Sequence, residues 1–191
     1  MKNKLIWLSG LFVLLLTVPT SLLNAATPKV GDVAPDFTLK TLNDESVKLS
    51  DLTTKGKVVL IVLRGWPGYQ CPLCTAQVQD YVSSAKKFIE AKAQVLFVYP
   101  GPALELKAHA TEFLESKDWP KEFLFVTDPD YAMVNTYGLR WNAKGETAYP
   151  STFVLDDKGV VQFSKVSESH GDRTKATEVL AALGTAKTPA K

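Results

Sequence analysis

The sequence contains very few residues that bind transition metals. Its 191 residues include only two cysteines and two histidines, and the cysteines, Cys71 and Cys74, form a single C-x-x-C motif. A structural zinc site needs four ligands, and neither a second C-x-x-C nor a histidine cluster is present to complete one. A structural disulfide is also disfavoured, because the stabilisation from closing a loop grows with loop length and this loop is minimal. The motif therefore predicts a redox-active dithiol.

The chain also lacks a long hydrophobic run of the kind that spans a membrane. An apolar run extends from Leu5 to Val18, after Lys2 and Lys4 and before the small residues Ala25 and Ala26. This is the layout of a secretory signal. Because the run is shorter than the roughly 20 residues of a transmembrane helix, we expect it to be cleaved and not retained as an anchor.

An excess of charge of one sign is missing as well. The whole chain has 22 basic and 20 acidic residues, and loss of residues 1–26 leaves 20 of each. This balance argues against a nucleic-acid partner. We predict a signal peptide over 1–26, one domain over 27–184 and a disordered tail over 185–191. The expected location is periplasmic or secreted, with membrane association only if the signal segment stays uncleaved.

The hydrophobic pattern alternates between strand and helix signals. Alternation at Phe37–Leu39 and Val47–Leu49 predicts an N-terminal hairpin, and the continuous apolar runs Val58–Leu63 and Val95–Tyr99 predict strands buried on both faces. Apolar residues at helical spacing over Val78–Ile89 place a helix between those two strands. The later elements are predicted as a helix over 102–117, a strand over 123–126, a helix over 131–137, strands over 152–155 and 160–163, and a helix over 176–183. The order β-α-β-α-β-α-β-β-α predicts an α/β fold with a mixed central sheet, helices on both faces and an N-terminal β extension.

The cysteines are predicted to lie where the first of these helices begins. The free N–H groups and the dipole of a helix N-terminus stabilise a thiolate, and Pro72 is tolerated in a first turn because its missing N–H has no intrahelical partner there. Attack of Cys71 on a disulfide would give a mixed disulfide that Cys74, one turn later, resolves. Attack on a peroxide would instead give a sulfenic acid that condenses with the second thiol.

The motif and its surroundings resemble a known family. The segments that carry the resemblance are Gly31–Leu39, Pro67–Thr75, Thr127–Pro129 and Tyr137–Leu139. They are similar to the redoxin, AhpC/TSA or peroxiredoxin-like branch of the thioredoxin-like superfamily, over roughly Val30–Leu183. The resemblance implies a thioredoxin-like fold and a thiol oxidoreductase without a bound cofactor. Its substrate would be a hydroperoxide or a protein disulfide, and its redox partner an unidentified thiol reductant or oxidant.

The peroxiredoxin and thioredoxin patterns assign different roles to the two cysteines. In the peroxiredoxin pattern Cys74 is the peroxidatic residue and Cys71 replaces a threonine, whereas in thioredoxins Cys71 attacks and Cys74 resolves. Peroxiredoxins also carry an arginine that stabilises the thiolate, three residues before the phenylalanine of a strand like that at 151–156. This chain has Pro150 there, which weakens the peroxidase interpretation. Arg64 or Arg140 could supply the charge from elsewhere, with solvated surface positions for both as the alternative.

Two further residues are predicted to bind substrate. Pro150 is similar to the cis-proline that faces the C-x-x-C of thioredoxins, so we expect a cis bond and a partner peptide beside it. An ordinary trans proline at the start of a strand is the alternative. Trp66, five residues before Cys71, is expected to form a wall of the site or to receive a partner, with a core anchoring role as the alternative. Tyr69 poses the same choice.

A copper carrier is the main non-enzymatic alternative. The Sco copper-delivery proteins share this superfamily fold and bind copper through two cysteines and a distant histidine. Convergence of Cys71, Cys74 and His170 would provide such a set. The cysteines of Sco proteins are separated by three residues and those of this chain by two, so the spacing disfavours copper. No other metal or cofactor site is expected.

Overall fold

The computed structural model describes residues 26–115 and 117–185. Apart from Ala26 and Thr185, the predicted signal peptide and tail lie outside these residues, and both remain predictions. Within the described ranges no helix combines the length and the apolar character needed to cross a membrane.

The described residues form seven strands and six helices. The strands are β1 Thr38–Thr41, β2 Ser46–Lys48, β3 Val58–Val62, β4 Gln94–Gly101, β5 Phe123–Pro129, β6 Ser151–Leu155 and β7 Val161–Val166. The helices are α1 Leu49–Thr53, α2 Pro72–Ser83, α3 Ala85–Glu90, α4 Leu106–Glu115, α5 Ala132–Thr136 and α6 Ala176–Thr185. The order of the predicted elements is therefore confirmed, including the N-terminal hairpin, whereas α1 was not predicted.

All seven strands belong to one mixed sheet in the order β2-β1-β5-β4-β3-β6-β7. Strands β3, β4 and β5 are parallel, whereas β6 pairs with β3 and β7 with β6 in antiparallel fashion. The central strand β3 is buried at every position, as its unbroken apolar sequence predicted. The expected mixed sheet of a thioredoxin-like fold is confirmed.

Alternate residues of β3 enter two separate cores, because successive side chains of a strand point to opposite faces of the sheet. Val59 and Ile61 pack in the core that includes α2, α3, α4 and α6, together with both cysteines. Val58 and Leu60 pack in the second core, which includes α1, α5 and the N-terminal hairpin. Helices thus cover both faces, as predicted, and the cysteines lie in the first core.

Two helices differ from their predicted bounds. The periodic segment before β4 is not one helix, because Ser84 leaves helical geometry at φ −101° and ψ 5° and separates α2 from α3. The apolar stripe runs through both pieces, so periodicity alone did not reveal the break. The next helix begins at Leu106 and not at Pro102, after Glu105 adopts a positive φ of 58°.

The sheet topology brings distant loops to one edge. Val62 at the end of β3 pairs with Ser151 at the start of β6, and Ser151 pairs with Val166 at the end of β7. The loops that leave β3 and β7 and the loop that enters β6 therefore meet at the edge where α2 begins. This edge holds the candidate site.

Candidate active site

The first cysteine caps the helix that follows the central strand. Cys71 has extended backbone angles (φ −74°, ψ 114°) and is the N-cap of α2, with Pro72 in the first turn. Its carbonyl accepts a hydrogen bond from the N–H of Thr75. Cys74 follows one turn later on the face of α2 that enters the core. Both thiols are free, and they are close enough to hydrogen-bond to each other.

Cys71 is held as the thiolate. Its pKa is lowered from 9.0 to about 5, chiefly by the hydrogen bond from the S–H of Cys74 and against the opposing effect of burial. The backbone N–H of Cys74, the charge of Arg173 and the side chain of Arg64 lower this pKa further. At neutral pH the Cys71 sulfur is therefore a ready nucleophile, because the thiolate is the reactive form.

Cys74 has the opposite character. Burial raises its pKa well above 9.0, and the hydrogen bond to Cys71 raises it further. Its exposed fraction is 0%, against 3% for Cys71. The two sulfurs are therefore both buried, but Cys71 carries the charge and Cys74 is protonated. This is the division of roles in the thioredoxin-like assignment.

A guanidinium group reaches both sulfurs. Arg173, in the loop between β7 and α6, donates to the Cys74 sulfur at 3.6 Å and to the Cys71 sulfur at 3.9 Å. It also donates to the side-chain oxygen of Gln77 at 3.0 Å and to the carbonyl of His170 at 2.7 Å. This arginine occupies the electrostatic role for which the sequence offered Arg64 or Arg140.

The loop that carries Arg173 is tied to the rest of the first core. The Thr174 hydroxyl is 2.7 Å from the hydroxyl of Tyr81 on α2 and 2.7 Å from that of Thr152 on β6. The N–H of Ala176 donates to the carboxylate of Asp80 on α2 at 2.6 Å. These bonds hold the backbone directly after Arg173 against α2 and β6. The side chain of Arg173 therefore extends from a fixed position.

The second charge near Cys71 comes from Arg64, at the end of β3. Its side chain is 3% exposed and pairs with Glu146 at 2.8 Å. It also donates to the carbonyl of Gly145 and to the hydroxyl of Tyr69, and it reaches Cys71. The other oxygen of Glu146 is 3.0 Å from Nε2 of His170, so this carboxylate links the loops that follow β3 and β7. Arg140 instead binds the carbonyls of Trp141, Glu146 and Thr147.

The expectation of a cis bond at Pro150 is wrong. No cis peptide bond occurs among the residues that the structure describes, so this proline is trans. It is buried, and its carbonyl accepts from the N–H of Ser167 at 2.8 Å. The loop after β7 therefore covers the backbone that a substrate peptide would have used, and the argument for a protein-disulfide substrate from this residue is lost.

The two aromatic residues of the loop before α2 have different surroundings. Trp66 is half-buried, its ring stacks on that of His109 in α4 at 3.6 Å, and its backbone N–H donates to the carbonyl of Pro100. This contact fits the anchoring alternative, and its role in substrate binding stays a prediction. Tyr69 is 49% exposed and lies beside Cys71 in sequence. The approach of the loop to Pro100 requires Gly65, since a Cβ there would collide with the Pro100 carbonyl.

The ligand set of the copper-carrier alternative is not assembled. Nε2 of His170 contacts Glu146, and the ring lies 4.9 Å from that of Trp141. Across 26–115 and 117–185, no three residues among the histidines, cysteines and acids are grouped to hold a metal. The convergence of Cys71, Cys74 and His170 that this alternative requires is therefore wrong for this conformation, because the imidazole contacts Glu146 instead.

Sequence reasoning missed three residues of this site, namely Arg173, Gln77 and Glu146. Arg173 is separated from Cys71 by 102 positions and Glu146 from Arg64 by 82, so no local spacing links them. A signal was nonetheless present in the topology. Because β7 runs in the same direction as β3, the residues after β7 must lie at the edge where α2 begins.

Comparisons with known proteins find a matching family model and several similar proteins. The redoxin family model matches residues 29–180. The chain is 33% identical to chloroplastic peroxiredoxin Q of Triticum aestivum over 133 residues, which are 70% of this chain and 57% of that protein. It is 31% identical to peroxiredoxin Bcp of Bacillus subtilis over 70% of this chain and 82% of that protein. The crystal structure of peroxidoxin BcpB from Mycobacterium tuberculosis matches with a TM-score of 0.66 and 25% identity, over 84% of this chain and 99% of that one. The chain thus spans little more than half the length of the wheat relative.

Proposed function

Because this chain belongs to the redoxin family, we propose that it is a thiol peroxidase that reduces hydroperoxides through Cys71 and Cys74. The peroxiredoxin relatives support this reaction class. The observation that carries the proposal is the pair of unlike buried sulfurs, the Cys71 thiolate and the Cys74 thiol, with Arg173 reaching both.

The first step is attack of the Cys71 thiolate on the terminal oxygen of the hydroperoxide. The O–O bond breaks, the alkoxide takes a proton and leaves as the alcohol, and Cys71 becomes a sulfenic acid. Arg173 lies where its guanidinium can stabilise the negative charge that moves onto the leaving oxygen. A small peroxide needs little access, which is consistent with the 3% exposure of Cys71.

The second step uses Cys74. After losing its proton, its sulfur attacks the sulfenic sulfur of Cys71, the S–O bond breaks, and the oxygen leaves as water. The ring that forms joins the N-cap of α2 to a residue one turn later. An external thiol reductant then returns the disulfide to the dithiol.

The order of attack is tested by a single turnover with each cysteine variant. Cys74→Ser should consume one equivalent of tert-butyl hydroperoxide and hold a sulfenic acid on Cys71, which dimedone traps and mass spectrometry locates. Cys71→Ser should consume none. The reverse pattern would instead establish Cys74 as the peroxidatic residue, as the peroxiredoxin motif assigns it. Lack of consumption by the reduced native chain would refute the peroxidase.

We also propose that the chain acts outside the cytoplasm, in the periplasm or as a secreted protein. The support is the sequence alone: Lys2, Lys4 and the apolar run Leu5–Val18. Expression of the whole chain, followed by fractionation and N-terminal sequencing, tests this proposal. We expect a product that starts near residue 27 and is recovered in the periplasmic fraction or in the medium. A full-length product in the cytoplasm would contradict it.

A further inference from the structure

Breaking the O–O bond of an alkyl hydroperoxide requires a proton. When the Cys71 thiolate takes the terminal oxygen, the other oxygen leaves as an alkoxide, which is a strong base. A positioned acid that protonates this oxygen in the transition state lowers the barrier. Arg64 and Arg173 do not supply the proton, because a guanidinium group is not deprotonated in proteins. The proton therefore comes from another group beside the sulfur or from water.

Several protons near the sulfurs are already directed elsewhere. The S–H of Cys74 donates to the Cys71 sulfur itself, and the Cys74 side chain is 0% exposed. The O–H of Tyr99 donates to the side-chain oxygen of Gln70 at 2.9 Å. The side-chain amide of Gln70 donates in turn to the carbonyl of His109 at 2.8 Å. None of these groups has a proton directed at the leaving oxygen.

The hydroxyl of Tyr69 differs from these groups. Its oxygen accepts a hydrogen bond from Nη1 of Arg64 at 2.5 Å, and the guanidinium carbon lies 5.2 Å from the centre of the ring. In the part of the chain that the structure describes, this is the only polar partner of the hydroxyl. Because the arginine is the donor in this bond, the phenol keeps its own proton for another acceptor.

Arg64 holds this hydroxyl near the sulfur. Its Nε donates to the carboxylate of Glu146 at 2.8 Å, and its Nη2 donates to the carbonyl of Gly145 at 2.8 Å. These bonds fix the guanidinium, so that Nη1 is directed at Tyr69. The same side chain also interacts with the Cys71 sulfur. The phenol oxygen and the sulfur are therefore neighbours around one rigid, planar group.

We propose that the O–H of Tyr69 donates the proton to the leaving oxygen of the hydroperoxide. This inference rests on the proposed peroxidase function and adds the acid for its first step. The Cys71 thiolate bonds to the terminal oxygen, the O–O bond breaks, and the phenol proton passes to the alkoxide, which leaves as the alcohol. Cys71 is then a sulfenic acid and Tyr69 a tyrosinate. The N–H of Arg64 stabilises the tyrosinate until solvent returns the proton.

The exposure of the two side chains fits this role. Cys71 is 3% exposed, whereas Tyr69, two residues before it, is 49% exposed. In a displacement at oxygen, the leaving oxygen lies on the side of the terminal oxygen that faces away from the sulfur. It is therefore nearer to solvent than the sulfur is, where an exposed hydroxyl reaches it and is afterwards reprotonated by water.

The variant Tyr69→Phe tests the proposal, because it keeps the ring and removes the proton. Three reagents are compared that attack the same sulfur and differ in their leaving groups. tert-Butyl hydroperoxide expels an alkoxide, peracetic acid expels a carboxylate that needs no proton at neutral pH, and iodoacetamide expels iodide. Rapid-quench single turnovers at pH 7, with the unreacted thiol measured by mass spectrometry, give a second-order rate constant for each reagent.

We expect only the reaction with tert-butyl hydroperoxide to slow. A general acid contributes about 100-fold or more, and because water replaces the phenol at an exposed position, we expect a fall of about tenfold. The rate constants for peracetic acid and iodoacetamide should stay within about twofold of the native values, since neither leaving group needs the proton. Tyr131→Phe, which removes the hydroxyl of a half-buried tyrosine before α5, is the matched control and should leave all three unchanged.

The other outcomes would overturn the inference. Because the pKa of Cys71 is about 5, its sulfur is ionised at pH 7, so a small change in this pKa does not alter the rates. Equal slowing with both peroxides would mean that Tyr69 positions the peroxide without donating a proton. Equal slowing with all three reagents would mean that it controls access to the sulfur. An unchanged rate with tert-butyl hydroperoxide would mean that water is the acid. If the native chain consumes no tert-butyl hydroperoxide, the proposed function fails and the inference falls with it.

Discussion

Two loops bring positive charge to the same sulfur, and they do so under different constraints. Arg64, where β3 ends, is 3% exposed and neutralised by Glu146. Arg173, after β7, is half-buried and bonds to the neutral oxygens of Gln77 and His170. An arginine paired with a buried carboxylate contributes mainly to the structure, whereas one without a counter-ion projects its charge onto its neighbours. We therefore expect Arg64 to affect mainly the stability of the fold and Arg173 mainly the reactivity of Cys71.

The largest effect should come from the loop after β3. Arg64→Met leaves the half-buried Glu146 with only its contact to His170, so the free energy of unfolding should fall by about 3 kcal/mol in urea denaturation. The double variant Arg64→Met with Glu146→Leu should recover much of this loss, because no unpaired charge remains. A fall below about 1 kcal/mol in the single variant would remove the distinction between the loops.

The pH dependence of stability tests whether Cys71 is a thiolate in the folded chain. Its pKa in the folded chain is about 5, below the ordinary 9.0, so the unfolded reduced chain binds more protons between these values. The stability contributed by the thiolate is present above the upper value and is lost as pH falls through about 5. From pH 6 to pH 8 the free energy of unfolding of the reduced chain should rise by about 3 kcal/mol relative to the oxidised chain. Parallel curves for the two redox forms would contradict this pKa shift.

The loop after β7 should control reactivity. Arg173→Met should raise the pKa of Cys71 from about 5 to roughly 6 and slow its alkylation by iodoacetamide at pH 5 about fivefold, because a smaller fraction of the sulfur is ionised. In the reduced chain at pH 7 its free energy of unfolding should fall by only about 1.4 kcal/mol, the linkage cost of a tenfold weaker thiol acid, since no carboxylate is left unpaired. Stability and alkylation rate measured together distinguish this variant from Arg64→Met. A large loss of stability with an unchanged pH profile would reverse the roles of the two arginines.

The smallest effect concerns the orientation of Arg173. Gln77→Leu removes the acceptor 3.0 Å from its guanidinium but keeps the charge. Alkylation of Cys71 at pH 5 should slow about twofold, the consequence of losing one modest hydrogen bond. Gln79→Leu, exposed on the same helix, is the control and should match the native rate. A loss as large as that of Arg173→Met would mean that Gln77 alone holds the guanidinium.

Much of the fold was predictable from local patterns. The apolar runs at Val58–Leu63 and Val95–Tyr99, with the periodic helix between them, gave the order of the central elements. The break at Ser84 was not predictable, because the hydrophobic stripe continues across it. The late start of α4 was not predictable either, because the backbone conformation of Glu105 decides where this helix begins.

The site was only partly predictable. The C-x-x-C spacing indicated the dithiol, and the position of Cys71 at a helix start indicated its activation. Two features differ from the prediction: the peptide bond at Pro150 is trans, and His170 contacts Glu146. Both depend on how the loop after β7 packs.

The sequence by itself determined that two thiols lie one helical turn apart at the end of a buried strand, because this placement follows from short-range spacing and periodicity. Tertiary structure alone decided which sulfur carries the charge and which arginine stabilises it. Cys74 is buried and Arg173, 102 positions after Cys71, contacts the Cys71 sulfur because β6 pairs with β3 and β7 pairs with β6. This order brings the loop after β7 to the start of α2. A thiol pKa depends on the groups that surround the sulfur in space, and these are set by the packing of distant segments.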